Sequence, residues 1–297
     1  MGKHVALPAL ATAGGAAAFV LRRWQLASAY DEETQLFRSG APATFALAGL
    51  LILLALIFLL SVRGKKGEGP RDFLPAFRCP SPAFMAGMAA SAFLFFGAGA
   101  LTLMEGTSRL SQWRVDPSSV PLTYPAALLL CAFLCFPAGI GTLMAGRACY
   151  RNSCPPSCSL MVLFPPMAAL VWLFASHLLH GTDPALLRYG FTLAAVAAML
   201  LALYYAAAFF HGRPHPGRAA FFALMGVTLG LLSLADAPAP FHLALTGACL
   251  LSCLSYAQAL LRNVFGPPWP ERMPSGAQEE REWDRLYEDE RRPSDDV

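Results

Sequence analysis

The chain has 297 residues, 56% of them hydrophobic and only 14% charged, where soluble domains carry about 25% charged residues. A water-soluble fold of this size cannot hide that much apolar surface, so the composition excludes an ordinary soluble enzyme or binding module. The formal net charge is +3, and no Arg-rich helix with interleaved aromatics is present, which excludes nucleic acid as a partner.

The apolar residues come in blocks close to the ~20 that a helix needs to cross a ~30 Å hydrocarbon core. The first block runs from about Val5 to Leu21 and stops at Arg22-Arg23. It competes with a cleavable signal peptide, because Ala27-Ser28-Ala29 resembles a processing site. The two arginines between the apolar run and that site favour a retained helix. Further spans are expected near 43–62, 84–104, 124–145, 159–179, 187–210, 219–235 and 241–261. The second block is the clearest, an uncharged LAGLLILLALIFLLSV ended by Arg63. Periodicity contributes little, since a lipid-embedded helix is apolar all round.

Residues 1–263 are therefore expected to form an all-α, polytopic transmembrane helical bundle of about eight spans. With eight spans, one side receives ten Lys and Arg in its loops and six more in the C-terminal segment, against six on the other side. The basic side is expected to be cytoplasmic, which places both N and C termini there. Arg22 and Arg23 run against this bias, being on the other side directly after the first block.

The composition changes after the last span. Residues 264–297 hold ten acids and five Arg, a net of −5, which leaves +8 on the rest. That balance suggests contacts with anionic lipid at loop level. Gly266-Pro267-Pro268-Trp269-Pro270 cannot continue a helix, because proline lacks the amide donor. The segment reads as an acidic, partly disordered tail with room for a short helix over 277–292, whose Trp283, Leu286 and Tyr287 would share one face for a cytoplasmic protein.

Ionisable groups within a membrane are costly and mark functional sites by default. Almost none falls at the centre of a span, which argues against an ion-coupled carrier. Glu105, His177, His180, Asp236 and His242 lie near predicted span ends on the outer side, and Asp183 lies in the loop beyond His180. In a compact bundle these six could gather into an outer-face polar cluster able to hold a divalent metal or polarise a small ligand. His177 and His180 are three apart and can project from one side of a helix. Against that stands the ordinary presence of polar groups at helix ends, and an HxxH without the HExxH arrangement is not a protease motif. No cofactor is predicted beyond that metal.

Cys131 and Cys135, like Cys249 and Cys253, are four apart within spans and read as small apolar packing groups. Cys79, Cys149, Cys154 and Cys158 fall near cytoplasmic loops, where four thiols could bind zinc, although their spacing is wrong for paired CxxC knuckles. Pro165-Pro166 in the fifth block removes two backbone donors, so that helix must bend or break there. Pro137 and the glycines after it give the fourth block a second weak point. Gly226-x3-Gly230 allows close helix approach within the bundle or along a dimer seam.

The stretch LFPPMAALVWLFASHLLHGTDPALLRYGFTLAAVAAMLLALYYAAAFFHGRP, with RAAFFALMGV after it and LPALATAGGAAAFVLRRWQ at the start, resembles uncharacterised multi-pass membrane proteins of anaerobic, clostridia-like Gram-positive bacteria. Asp183-Pro184, Arg188-Tyr189 and Tyr204-Tyr205 carry the likeness most closely. The resemblance implies a bacterial plasma membrane location and no particular activity. With no phosphate loop, nucleotide signature or Ser-His-Asp pattern, the leading expectation is a non-enzymatic sensor or assembly partner. A small-solute or lipid-handling permease using the proline break is the alternative, followed by a metal-dependent membrane enzyme with its site on the outer face.

Overall fold

The computed structural model describes residues 2–266 apart from 32, 35, 64–69, 71, 118–120, 181–185 and 237, together with the side chains of 180, 186 and 187. The acidic segment with its expected short helix lies outside the described residues, as does Asp183. Ten helices follow one another among the described residues: α1 Lys3–Ala29, α2 Pro42–Val62, α3 Phe73–Phe77, α4 Pro82–Val115, α5 Thr123–Arg151, α6 Cys158–Met161, α7 Phe164–His180, α8 Leu186–Ala208, α9 Pro216–Ser233 and α10 Pro240–Phe265. With α6 and α7 taken as one broken segment and α3 set aside, eight are long and apolar enough to cross a membrane. Short 3-10 turns at Phe209–His211 and Leu234–Asp236 finish α8 and α9.

Proline opens several spans, at Pro42, Pro82, Pro216 and Pro240. At the first helical position its missing donor costs nothing and its fixed φ already suits the helix. Two spans run well past their apolar runs. The first was expected to stop at Leu21 but continues to Ala29, because Arg22 finds a counter-ion inside the protein. The third was expected to end near residue 104 and instead reaches Val115. There Glu105 and Arg109, one turn apart, form an ion pair at 2.7 Å that carries the helix forward.

The central layer is α4, α5, α9 and α10, with α1 packed on α9 and α7 against α5 and α8. α1 packs closely on this layer through α9. A Cβ on Gly15 would meet the Thr228 Cα of α9 at 3.2 Å, and the Thr228 hydroxyl donates to the Ala11 carbonyl at 3.3 Å. Gly226 and Gly230 both pack within the chain, against Met199 of α8 and, for Gly230, Leu250 of α10 as well. The close-packing motif thus serves an internal seam. Cys131, Cys135, Cys249 and Cys253 are buried and unbridged, filling the centre as small groups.

The expected break in the fifth block is present, one turn earlier than the prolines themselves. α6 ends at Met161, and Pro165 and Pro166 stand in the first turn of α7, where no amide donor is required. Pro165 cannot donate to the Met161 carbonyl, which is left without its helical partner. That oxygen is pressed against Gly141 of α5: a Cβ on Gly141 would lie 2.1 Å from it. The glycine hydrogen aimed at the oxygen supplies a weak Cα–H···O contact in place of the missing amide. By contrast, Pro137 lies within α5 without interrupting it.

The first and last spans meet at the end of the bundle where α1 begins and α10 finishes. Lys3 lies 5.9 Å from the centre of the Phe265 ring. Asn263 donates to the carbonyls of Ala76 and Arg78, both at 2.9 Å, and so ties α3 to α10. We call this the terminal end and the other the far end.

Candidate functional site

The most heavily connected polar site is at the far end and centres on Arg22. Arg22 stands 19 residues after Lys3, or ~28 Å along the helix at 1.5 Å per residue, so it sits about one hydrocarbon thickness from the terminal end. It has no solvent-accessible surface. Nothing in lipid or protein tolerates a bare guanidinium there, and each of its nitrogens is satisfied. Nε donates to Asp236 Oδ1 at 2.8 Å. Nη1 donates to Gln25 Oε1 at 2.7 Å and Nη2 to the Arg188 carbonyl at 3.0 Å. The faces of the guanidinium meet Phe191 and Phe37, whose ring centres are 4.9 and 5.4 Å away.

The partners are themselves tied. The second oxygen of Asp236 accepts from Thr192 at 3.3 Å, and the Gln25 amide donates to the Thr44 hydroxyl at 2.9 Å. Arg188 donates to the Tyr30 hydroxyl and lies over the Tyr30 ring. The 30–37 segment folds back so that Tyr30 and Phe37 pair with ring centres 5.2 Å apart. One network thus links α1, α2, α8 and the turn after α9. It gives a directional lock, because an Arg fork fixes angle as well as distance.

Of the six residues expected to form an outer-face cluster, the four whose side chains are described, Glu105, His177, Asp236 and His242, do not come together as one metal site. Asp236 is engaged by Arg22 and Thr192. His242 accepts at Nδ1 from the indole N–H of Trp172 at 2.7 Å and lies against the Phe241 ring. That acceptor role puts the proton of a neutral imidazole on Nε2. Glu105 pairs with Arg109 on its own helix. His177 is exposed. His180 closes α7 with its side chain outside the description, and Asp183 is outside it altogether. Among the described residues, no three His, Cys, Asp or Glu side chains come together as a metal site.

At the terminal end, Cys79, Cys149 and Cys158 are buried and Cys154 is half-buried, all as free thiols. The Cys79 amide donates to the Cys149 carbonyl at 3.1 Å, which fixes the loop before α4 onto the end of α5. Burial pushes the Cys79 thiol above its ordinary range, against the pull of a backbone hydrogen bond at Ser81 and the charge of Arg262. Cys79 is thus a buried, unbridged thiol packed between the loop before α4 and the end of α5.

Sequence reading missed Arg22 as a site residue, because a charged pair after an apolar run reads as the end of a span. A signal was available. Gln25 one turn later and Asp236 at another predicted span end on the same side are the partners an embedded arginine needs.

The eight apolar helices define a polytopic helical membrane protein, in which a buried ion pair joins α1 to the turn after α9. No family model, no curated protein and no solved structure matches the chain.

Proposed function

We propose that the chain is a non-enzymatic protein of a bacterial plasma membrane that acts as a sensor or assembly partner. In this reading both termini are cytoplasmic, and the acidic segment 264–297 is offered to a cytoplasmic protein. The observation that supports it is the closed network around Arg22, whose polar partners are engaged within the chain. Asp236, one of the six candidates, is held by Arg22 and Thr192. A catalytic or metal-binding carboxylate keeps an oxygen available for substrate or ion, whereas this one joins helices. The sidedness is supported by the excess of Lys and Arg in the loops of the terminal end, and the membrane by the resemblance to proteins of Gram-positive bacteria. The composition of the tail supports the partner: ten acids with Trp283, Leu286 and Tyr287 interspersed suit a basic, partly apolar docking surface.

The test is a photo-crosslinking residue placed at Trp283 of the full chain in its own membranes. The expected result is a discrete protein adduct, formed when the cytoplasmic face is intact and lost when the crosslinker is moved to Arg114. Adducts with lipid alone, or identical patterns from the two positions, would overturn the proposal.

A further inference from the structure

A cavity of about 680 Å³ opens at the terminal end, where α2 finishes, α8 finishes and α9 begins. It is separate from the far-end network and from the thiols. Its walls are built in two levels. Leu59 and Val62 from α2 and Tyr205, Phe221 and Phe222 from α8 and α9 form an apolar level. Arg63, His215 and Arg218 form a basic rim. Arg63 is the first residue after the uncharged run of α2, and Arg218 stands in the first turn of α9. Both therefore lie where an apolar span meets the headgroup region. Leu59, Phe221 and Phe222 lie three or four positions deeper along the same helices, or roughly 5 Å toward the bilayer centre.

The walls are preorganised. Tyr205 stacks on Phe222 with ring centres 5.7 Å apart and planes 13° from parallel, and the His215 ring is tilted against Tyr205 with centres 5.9 Å apart. The mouth is charged and uncompensated: Arg63 and Arg218 are exposed, and among the described residues neither is paired with an acid. The amides of Gly217 and Arg218, in the first turn of α9, precede its first internal hydrogen bond, from Ala219 to His215, so they add positive potential to the rim. α2 packs chiefly on α1 and only lightly on α9, and Leu59 and Leu60 turn outward. The cavity is thereby open to the bilayer side.

We infer that this cavity is a binding site for an anionic phospholipid, with its phosphate on Arg63 and Arg218 and the start of an acyl chain against Leu59, Phe221 and Phe222. The chemistry discriminates in both directions. A free phosphate would use the rim and gain nothing from the apolar level, which makes up most of the wall. A zwitterionic lipid would fit that level but bring its own cation to a rim that already holds two guanidinium groups. An anionic lipid satisfies both levels, as basic pockets between spans do, and the volume is in the range of sites for small amphiphiles. This inference does not depend on the function proposed above.

The experiment uses the full chain, purified in a neutral detergent, stripped of lipid and followed by native mass spectrometry. Dioleoyl phosphatidylglycerol should be retained under conditions that remove dioleoyl phosphatidylcholine, and excess inorganic phosphate should not displace it. The Arg63→Gln/Arg218→Gln variant should bind phosphatidylglycerol roughly tenfold more weakly or worse. Arg147→Gln/Arg151→Gln, at the same end but outside the cavity, should bind it like wild type. Phosphatidylglycerol carrying a photoreactive group near its ester should label Leu59, Phe221 or Phe222 of the unmodified chain, a readout that needs no variant to fold. Equal retention of the two lipids, undiminished binding by the Gln variant, or labelling confined to other helices would overturn the inference. Displacement by inorganic phosphate would overturn it in favour of a soluble anion.

Discussion

The two ends of the bundle treat arginine in opposite ways. At the far end Arg22 is fully buried and every nitrogen is engaged. At the terminal end Arg63 and Arg218 stand exposed at the mouth of a cavity, and among the described residues neither is paired with an acid. The difference follows from solvation. An embedded guanidinium without a partner is so costly that the fold must supply one, whereas at headgroup level water and lipid phosphate serve. A buried charge is thereby consumed in holding helices together. An interfacial charge stays available for something outside the chain.

The largest effect should come from breaking the buried pair. Arg22→Ala or Asp236→Asn is expected to cost about 3–5 kcal/mol, because the remaining partner is left buried and unpaired. Thermal unfolding in detergent should show a large loss in either variant, and Arg22→Met/Asp236→Leu should recover part of it. A double variant as unstable as the singles would mean that geometry outweighs charge at that end. Toward the terminal end the fit is steric. Gly141→Ala drives a methyl group into the Met161 carbonyl and should cost about 1–3 kcal/mol, with a lower melting point and no change in ion-pair geometry. The smallest of the three is Trp172→Phe, which removes the donor to His242 and should cost about 1 kcal/mol. If it costs as much as Arg22→Ala, the far end is held by more than its ion pair.

The spans were legible in the sequence because membrane thickness and charged punctuation are both local signals. The second block, ended by Arg63, matches α2 to within a residue. Where a span end depended on a distant partner, the local signal misled. Arg22 looked like a stop because its counter-ion lies 214 residues away, and residue 104 looked like an end because the Glu105–Arg109 pair does not register as helix-forming hydropathy. The proline break was legible in kind but not in place. Prolines suit the start of a helix better than its end, so the discontinuity moved ahead of them to Val162 and Leu163. The expected gathering of Asp236 with the histidines overlooked a competitor, since the Arg22 guanidinium in contact with the carboxylate takes up its charge.

The Arg22–Asp236 link also has a consequence in time. The ribosome makes Arg22 early and Asp236 only 214 residues later, an interval of roughly ten to forty seconds at elongation rates of ~5–20 residues per second. Throughout that interval the first helix carries a cation whose mate has not been synthesised. α2, the most apolar of the eight spans, can enter the bilayer on its own account. α1 gains the partner of its cation only when the turn after α9 has been made, so the first helix of the chain is locked by nearly the last.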